Sequence, residues 1–255
     1  MLKIIDVNVD NVDKYGFFCM RSKPKSNGYQ NKLKWLKKRF QEGLRVKIIE
    51  EDGRQKGFIE YIPGKSTWRA INAKEYMVIH CFWVVGKNKE KGFGSKLLQE
   101  CIQEAKKLNL SGVVIVTSDK GWLPSRMFFE KKEFNLVDKI GVFELMALNF
   151  KDESLPSFYD WQETAKEYCK GITVFKSDQC PFTQDALINL KLAADECDME
   201  VNVIELDNYE RAQKISPTPF GVFTVILDGE IITYHPETKN KFVQLLKSQK
   251  FNIKS

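Results

Sequence analysis

Tyr76–Lys107 reads YMVIHCFWVVGKNKEKGFGSKLLQECIQEAKK, and this stretch decides the fold of the first half of the chain. Tyr76–Val85 is a long apolar, aromatic and β-branched run, the composition of a strand. A loop rich in Lys and Gly follows, and Gly92-Phe93-Gly94 opens an amphipathic helix over about Gly94–Leu108. The first turn of a helix carries N–H groups without intrahelical partners and a partial positive charge, so it attracts phosphate. Glycines there let a diphosphate reach the backbone with no Cβ in the way. The spacing is not that of a Walker A loop, since no Lys-Ser/Thr follows Gly94 at the required distance, and Leu97 breaks the GxGxxG of a dinucleotide fold. A glycine pair kept for packing alone is the competing reading of these residues.

Working outward, Leu2–Val7 predicts a strand and Val12–Met20 a helical stretch. Ser22–Gly28 reads as a loop and Tyr29–Glu42 as an amphipathic helix with Tyr29, Leu33, Leu36 and Phe40 on one face. Asp52-Gly53 is a hairpin signal between strands Leu44–Glu51 and Arg54–Ile62. Gly112–Thr117 reads as a fully buried strand, Pro124–Lys132 as a short helix, and Asn135–Asp138 and Val142–Phe150 as strands. The first 150 residues carry 28 Lys and Arg against 17 Asp and Glu, whereas residues 151–255 carry 12 against 17. That asymmetry fits two modules joined by a linker near Lys151–Pro156. Expected boundaries are 1–150, a linker and connecting helix over 151–170, and 171–255.

The 255-residue chain is 43% hydrophobic and 29% charged, which excludes low-complexity and disordered classes. No apolar run reaches the roughly 18 residues of a membrane helix, and Asp6 interrupts any leader-like start. Six cysteines (19, 81, 101, 169, 180 and 197) lack metal-ligand spacing and read as reduced thiols, so the expected location is cytoplasmic and no metal is expected.

The strand, the glycine turn and the helix together resemble motif A of the GNAT acetyltransferases, Q/R-x-x-G-x-G/A after a strand, with Lys89-Glu90-Lys91-Gly92-Phe93-Gly94 in that position. Phe128-Phe129-Glu130-Lys131-Lys132-Glu133-Phe134 is similar to the family's L-Y-E-K-x-G-F. The resemblance covers about residues 1–150. It implies an acyl-CoA-binding α/β (α+β) fold with acetyl-CoA as cofactor. The backbone of Phe82, Trp83 and Val84 would face pantetheine, and the segment Lys89, Lys91, Gly92, Phe93, Gly94 and Ser95 would hold the pyrophosphate. The phosphates of coenzyme A suit a basic domain without invoking nucleic acid.

Two departures bear on the chemistry. The family tyrosine that commonly protonates the leaving thiolate aligns with Phe129, and the motif glycine with Glu133, which mainly alters a turn. Acyl transfer also needs a neutral amine, made so by a base or a water chain. Where relatives use a strand carboxylate, this chain has Val78 nearby. Period-two alternation puts Tyr76, Val78, His80 and Phe82 on one face, and His80 has a side chain suited to the task; a buried structural histidine is the alternative. Glu75 at the strand start is a weaker candidate. Cys81, on the opposite face, and Cys101, on the apolar side of the helix, read as core, and Trp83 and Trp122 as packing residues.

In the second half, Ile172–Thr183 (ITVFKSDQCPFT) resembles the first strand and active-site turn of glutaredoxins, with Cys180 just before a helix and Thr183 where the second cysteine stands. The resemblance implies a smaller thioredoxin-like domain limited to monothiol chemistry, with Cys180 either a reactive thiol or a relic in a binding module. The family's cis-proline aligns with Gly221, and Pro219 lies two residues earlier. Ser216–Pro236 resembles the YoaP-type proteins. The implied function is N-acetyl transfer from acetyl-CoA to a small-molecule or protein amine, with an accessory thioredoxin-like module. The alternative is a non-catalytic acyl-CoA-binding protein whose second module binds a partner. No membrane partner is expected.

Overall fold

The computed structural model describes residues 1–86 and 91–252, and within them omits the side chains of residues 162 and 249–252. The residues fall into two compact units. The first comprises Met1–Pro24, Leu33–Thr67 and Ile71–Tyr159, and the second Lys25–Lys32, Trp68–Ala70 and Asp160–Ser255. The division after Tyr159 lies inside the stretch expected as a linker, and two short segments of the N-terminal sequence cluster with the second unit.

The first unit is built on a seven-stranded sheet of order β1-β2-β3-β5-β6-β8-β7. Its strands are β1 (Leu2–Val7), β2 (Arg45–Glu51), β3 (Arg54–Pro63), β5 (Tyr76–Val84), β6 (Gly112–Thr117), β7 (Asn135–Ile140) and β8 (Phe143–Asn149). Only β5 and β6 pair in parallel among these neighbours, and they are joined through α3 (Phe93–Lys107), as a parallel crossover demands. The β2–β3 hairpin turns at Asp52 and Gly53, both at positive φ, as the Asp-Gly pair dictates.

The core on the α3 side is a single apolar cluster. Leu97, Leu98, Cys101 and Ala105 of α3 meet Ile59 and Tyr61 of β3, Met77 and Ile79 of β5, Val113 and Ile115 of β6, and Phe129 and Phe134. Burial pushes the Cys101 thiol and the Tyr61 hydroxyl above their ordinary values, because neither anion can be solvated there. Short β4 (Ile71–Asn72) pairs with β9 (Ser157–Phe158), where a connecting helix was expected. The Phe158 N–H donates to Asp138 Oδ2 at 2.8 Å. Between Phe158 and Ile172 the helical structure of the described residues is α5 (Gln162–Lys166). The stretch read as helical over 12–20 forms only α1 (Val12–Tyr15), because the chain turns at Gly16, φ 63°. Helix α2 (Asn27–Phe40) starts two residues before its expected onset, so it takes in Gly28 from the expected loop.

The second unit holds a four-stranded sheet of order β11-β10-β12-β13, from β10 (Ile172–Lys176), β11 (Val201–Glu205), β12 (Phe223–Leu227) and β13 (Glu230–Thr233). β10 runs parallel to β11 and antiparallel to β12. α6 (Thr183–Glu196) follows β10, α7 (Tyr209–Ile215) follows β11, and α8 (Lys239–Asn252) closes the unit. The α6 residues Leu190 and Ala194 and the α8 residues Phe242 and Leu246 pack with Val174 and Val225 in its core.

The N-terminal segments are structural parts of this unit. Arg69 is fully buried and donates to Gln179 Oε1 at 3.2 Å and to the Phe220 carbonyl, with its guanidinium over the Phe220 ring. Gly221 sits at φ +61°, and a Cβ there would overlap the Trp68 carbonyl oxygen. No peptide bond is cis among the described residues, so neither Pro219 nor Pro217 takes that form.

Candidate functional site

β5 pairs with β6 only from Tyr76↔Gly112 to Ile79↔Ile115. Beyond that point β5 continues along β3 as far as Val84, while β6 continues along β8 as far as Thr117. The two parallel strands therefore part after Ile79. The β5 backbone from His80 to Val84 has one edge on β3 and the other without a ladder to β6. An extended ligand chain can take up such an edge by main-chain hydrogen bonds.

A bulge accompanies the parting. Glu60 pairs with Cys81 but Tyr61 pairs with Ile79, leaving His80 as the extra residue. A bulge shifts the alternation by one, which corrects the expected face. Phe82 turns to the α3 side, against Phe128 at 5.1 Å and Phe129 at 5.7 Å between ring centroids, while Cys81 takes the Glu60 side and is exposed. Trp83 is 54% exposed and Trp122 49%, so neither is the packing residue expected. Val84 is buried in the core.

The α3 end of the site carries the two glycines in different roles. Gly92 is the N-cap at φ 72°, and a Cβ on it would meet nothing within 4 Å. The first ladder bond of α3 runs from the Lys96 N–H to the Gly92 carbonyl at 3.1 Å, so Phe93, Gly94 and Ser95 precede it in the turn. No acid occupies this turn. A Cβ on Gly94, by contrast, would lie 3.1 Å from Cζ of Phe82 and 3.2 Å from two atoms of the Phe128 ring, so this glycine admits aromatic rings. Lys91 is tied to Glu51, Nζ to Oε2 at 2.9 Å. Lys89 lies outside the described residues.

His80 is buried at 4% exposure. Its Nε2 lies 3.0 Å from Thr67 Oγ1, and its Nδ1 lies 3.9 Å from Oε1 of Glu60, itself 2% exposed. The sequence reading missed Glu60 and Thr67. A signal for Glu60 was present, since it is the one charged residue in the apolar run Gly57–Ile62. Glu75 is exposed in the turn before β5, and its carbonyl accepts from the Ser111 N–H. It stands at the end of β5 opposite the parting, about 20 Å from Phe82 at roughly 3.3 Å per residue, and is not brought together with the other candidates. Phe129 is fully buried among aromatic rings and has no proton to give.

In the second unit Cys180 is half-buried, three residues before α6. Thr183 is buried, and its hydroxyl donates to the carbonyls of Ser177 at 3.1 Å and Cys180 at 2.8 Å, holding the turn that a second cysteine would occupy. Lys176 is buried against Glu205 at 2.8 Å and Asp178 at 3.3 Å. His235 faces Glu237 at 3.4 Å. Among the described residues no group of His, Cys, Asp and Glu could hold a metal, and no helix is long and apolar enough to cross a membrane.

The Acetyltransferase (GNAT) family matches residues 15–134, and the YoaP-like family matches residues 201–244. The chain is 33% identical over 247 residues to the uncharacterized N-acetyltransferase YoaP of Bacillus subtilis, covering 95% of this chain and 97% of that one. It is 32% identical over 77 residues, 30% of this chain and 43% of the other, to the L-methionine sulfoximine/L-methionine sulfone acetyltransferase of Salmonella typhimurium. Among solved structures it is similar to the PaiA N-acetyltransferase of Thermoplasma acidophilum in complex with coenzyme A, at 15% identity and a TM-score of 0.42, over 59% of this chain and 99% of that one. The chain belongs to the GNAT acetyltransferase family and carries a YoaP-like domain after its acetyltransferase domain.

Proposed function

We propose that the first unit transfers an acetyl group from acetyl-CoA to the nitrogen of a small-molecule or protein amine. The observation that carries this reading is the parting of β5 from β6 after Ile79, next to a bare α3 first turn at Gly92. In this reading the backbone of Phe82, Trp83 and Val84 takes the pantetheine arm along the open edge of β5. The N–H groups of Phe93, Gly94 and Ser95, with Gly92 and the cations of Lys89 and Lys91, hold the pyrophosphate. His80 takes up the proton that the amine must lose.

The second unit is proposed as a thioredoxin-like accessory domain. Its sheet order, with one parallel and two antiparallel pairings and helices after the first two strands, supports that reading. Cys180 would then act as a single thiol.

A second reading is favoured by one observation. Phe129, buried and without a hydroxyl, stands where the family's proton donor would be, and this suits a protein that binds acyl-CoA without turning it over. Calorimetry with coenzyme A, followed by thiol release from acetyl-CoA over a panel of primary amines, separates the two. Binding with release supports transfer, binding without release supports the sensing alternative, and absence of binding by the folded protein overturns both.

A further inference from the structure

Beyond the parting, the two faces of β5 differ. On the α3 side Phe82 meets the rings of Phe128 and Phe129, and Val84 is buried in the core. The first turn of α3, the proposed pyrophosphate cradle, adjoins these rings through Gly94. The opposite face presents Cys81, which is exposed, and Trp83, which is 54% exposed. Trp83 pairs directly with Phe58 of β3, so their side chains stand side by side on that face. The half-buried ring of Phe18 stacks on Phe58, with 5.1 Å between centroids and 18° between planes. One exposed tryptophan is ordinary on a protein surface. A tryptophan continuous with a stacked aromatic pair, at an open strand edge, is a wall shaped for a flat group.

We propose that the acceptor is a primary amine carrying an aromatic ring on a short spacer, and that Trp83, Phe58 and Phe18 form the wall that receives the ring. This inference rests on the acetyl-transfer reading. Donor and acceptor cannot share one space. A pantetheine arm that runs along Phe82–Val84 from a pyrophosphate at α3 puts its thioester end toward Cys81. The α3 side is then taken by the donor and by the rings of Phe82, Phe128 and Phe129, so the amine reaches the acetyl carbon from the face of Cys81 and Trp83. Cys81 and Trp83 are about 7 Å apart along the strand at 3.3 Å per residue, the span that a short alkyl spacer sets between an amine nitrogen and a ring. Trp83 then serves both substrates, with its backbone on the donor and its indole on the acceptor.

The test follows thiol release from acetyl-CoA by the full-length protein with phenethylamine and with cyclohexylethylamine, which has the same carbon skeleton without the flat ring. The expected kcat/KM favours phenethylamine by about three- to tenfold, the margin an aromatic contact adds beyond the area it buries. Trp83→Ala should bring the ratio close to one, and Trp83→Phe should keep most of it. Saturation-transfer NMR on the coenzyme A complex should show contact to the aromatic protons of phenethylamine in the wild type and its loss in Trp83→Ala. If calorimetry shows that Trp83→Ala no longer binds coenzyme A, Phe18→Leu, which lies off β5, carries the same comparison. Equal kcat/KM for the two amines, or a preference unmoved by these variants, overturns the proposal and leaves acetyl transfer standing. Coenzyme A binding without turnover of these amines, of hexylamine or of a lysine peptide removes the transfer reading itself and this proposal with it.

Discussion

The ring of Phe82 fills the space in front of Gly94, with its Cζ 3.1 Å from where a Cβ would stand. The residue that turns toward α3 because of the His80 bulge is thus the one that requires a glycine in the first turn of α3. The two glycines of the cradle consequently answer to different forces.

Substitution should separate them. Gly94→Val forces the Phe82 and Phe128 rings aside, and overpacking of this kind costs about 1–3 kcal/mol. Gly92→Val adds a side chain to open space but must hold a left-handed φ, at about 1–2 kcal/mol, in front of the bare N–H groups. Coenzyme A binding should be lost in Gly92→Val at a temperature where the variant is still folded. Urea unfolding and calorimetry on both variants check this, and full binding by a folded Gly92→Val would overturn the cradle.

Much of the fold was legible because its elements announce themselves locally. Gly112–Thr117 is buried along its whole length, as a run of six small and β-branched residues implies, and Asp52-Gly53 fixes the β2–β3 hairpin. The bulge was not legible. Alternation along Tyr76–Val84 carries no mark of which residue the neighbouring strand leaves unpaired, so the face of Phe82 came out reversed. Ser157–Phe158 lacks a helical or strand period of its own and is ordered by pairing with the distant Ile71–Asn72. Arg69 in the second unit is the same lesson, since its partners Gln179 and Phe220 lie more than a hundred residues away. What is set by tertiary pairing is absent from local pattern.

Glu133 holds φ 65° on the solvent side of the turn after α4 (Met127–Glu130). The Phe134 N–H donates back to the Phe129 carbonyl at 3.1 Å, the closure that usually places glycine at this position. The turn expected to change is kept, at the expense of a strained residue. Glu133→Gly should therefore stabilise the first unit by about 0.5–1 kcal/mol, the relief of left-handed strain less the added freedom of the unfolded chain. A rise of about 2 °C in the melting midpoint is expected. A fall would mean that the carboxylate makes a contribution its backbone does not reveal.

Alkaline pH should weaken the first unit through its core. Burial raises Cys101 well above 9.0 and Tyr61 well above 10.0, so the folded state holds these protons more tightly than the unfolded chain. The stability tied to them is complete below about pH 9 and declines as pH rises toward the folded values, by up to about 1.4 kcal/mol per pH unit for each group. Urea midpoints at pH 7.5 and 10.5 should differ, and Cys101→Val should reduce the difference. Equal midpoints would show that neither group resists ionisation.

The six thiols provide the test of the second unit. Cys81 and Cys169 are exposed, Cys19 and Cys180 are half-buried, and Cys101 and Cys197 are buried. Exposure governs encounter with a reagent, whereas the thiolate fraction governs reaction. Cys180 precedes the 14-residue α6, whose N-terminus favours an anion, although Asp178 and Asp185 nearby oppose it. Cys19 has comparable exposure and no such helix, which makes it the internal control. Limited alkylation at neutral pH with peptide mass mapping should label Cys180 at least several-fold faster than Cys19, with Cys101 and Cys197 labelled only on unfolding. Because Thr183 uses its hydroxyl to close the turn and has no sulfur, a mixed disulfide formed at Cys180 should persist until an added thiol removes it. Labelling of Cys180 no faster than Cys19 would sink the reactive-thiol reading and leave the second unit as a binding domain.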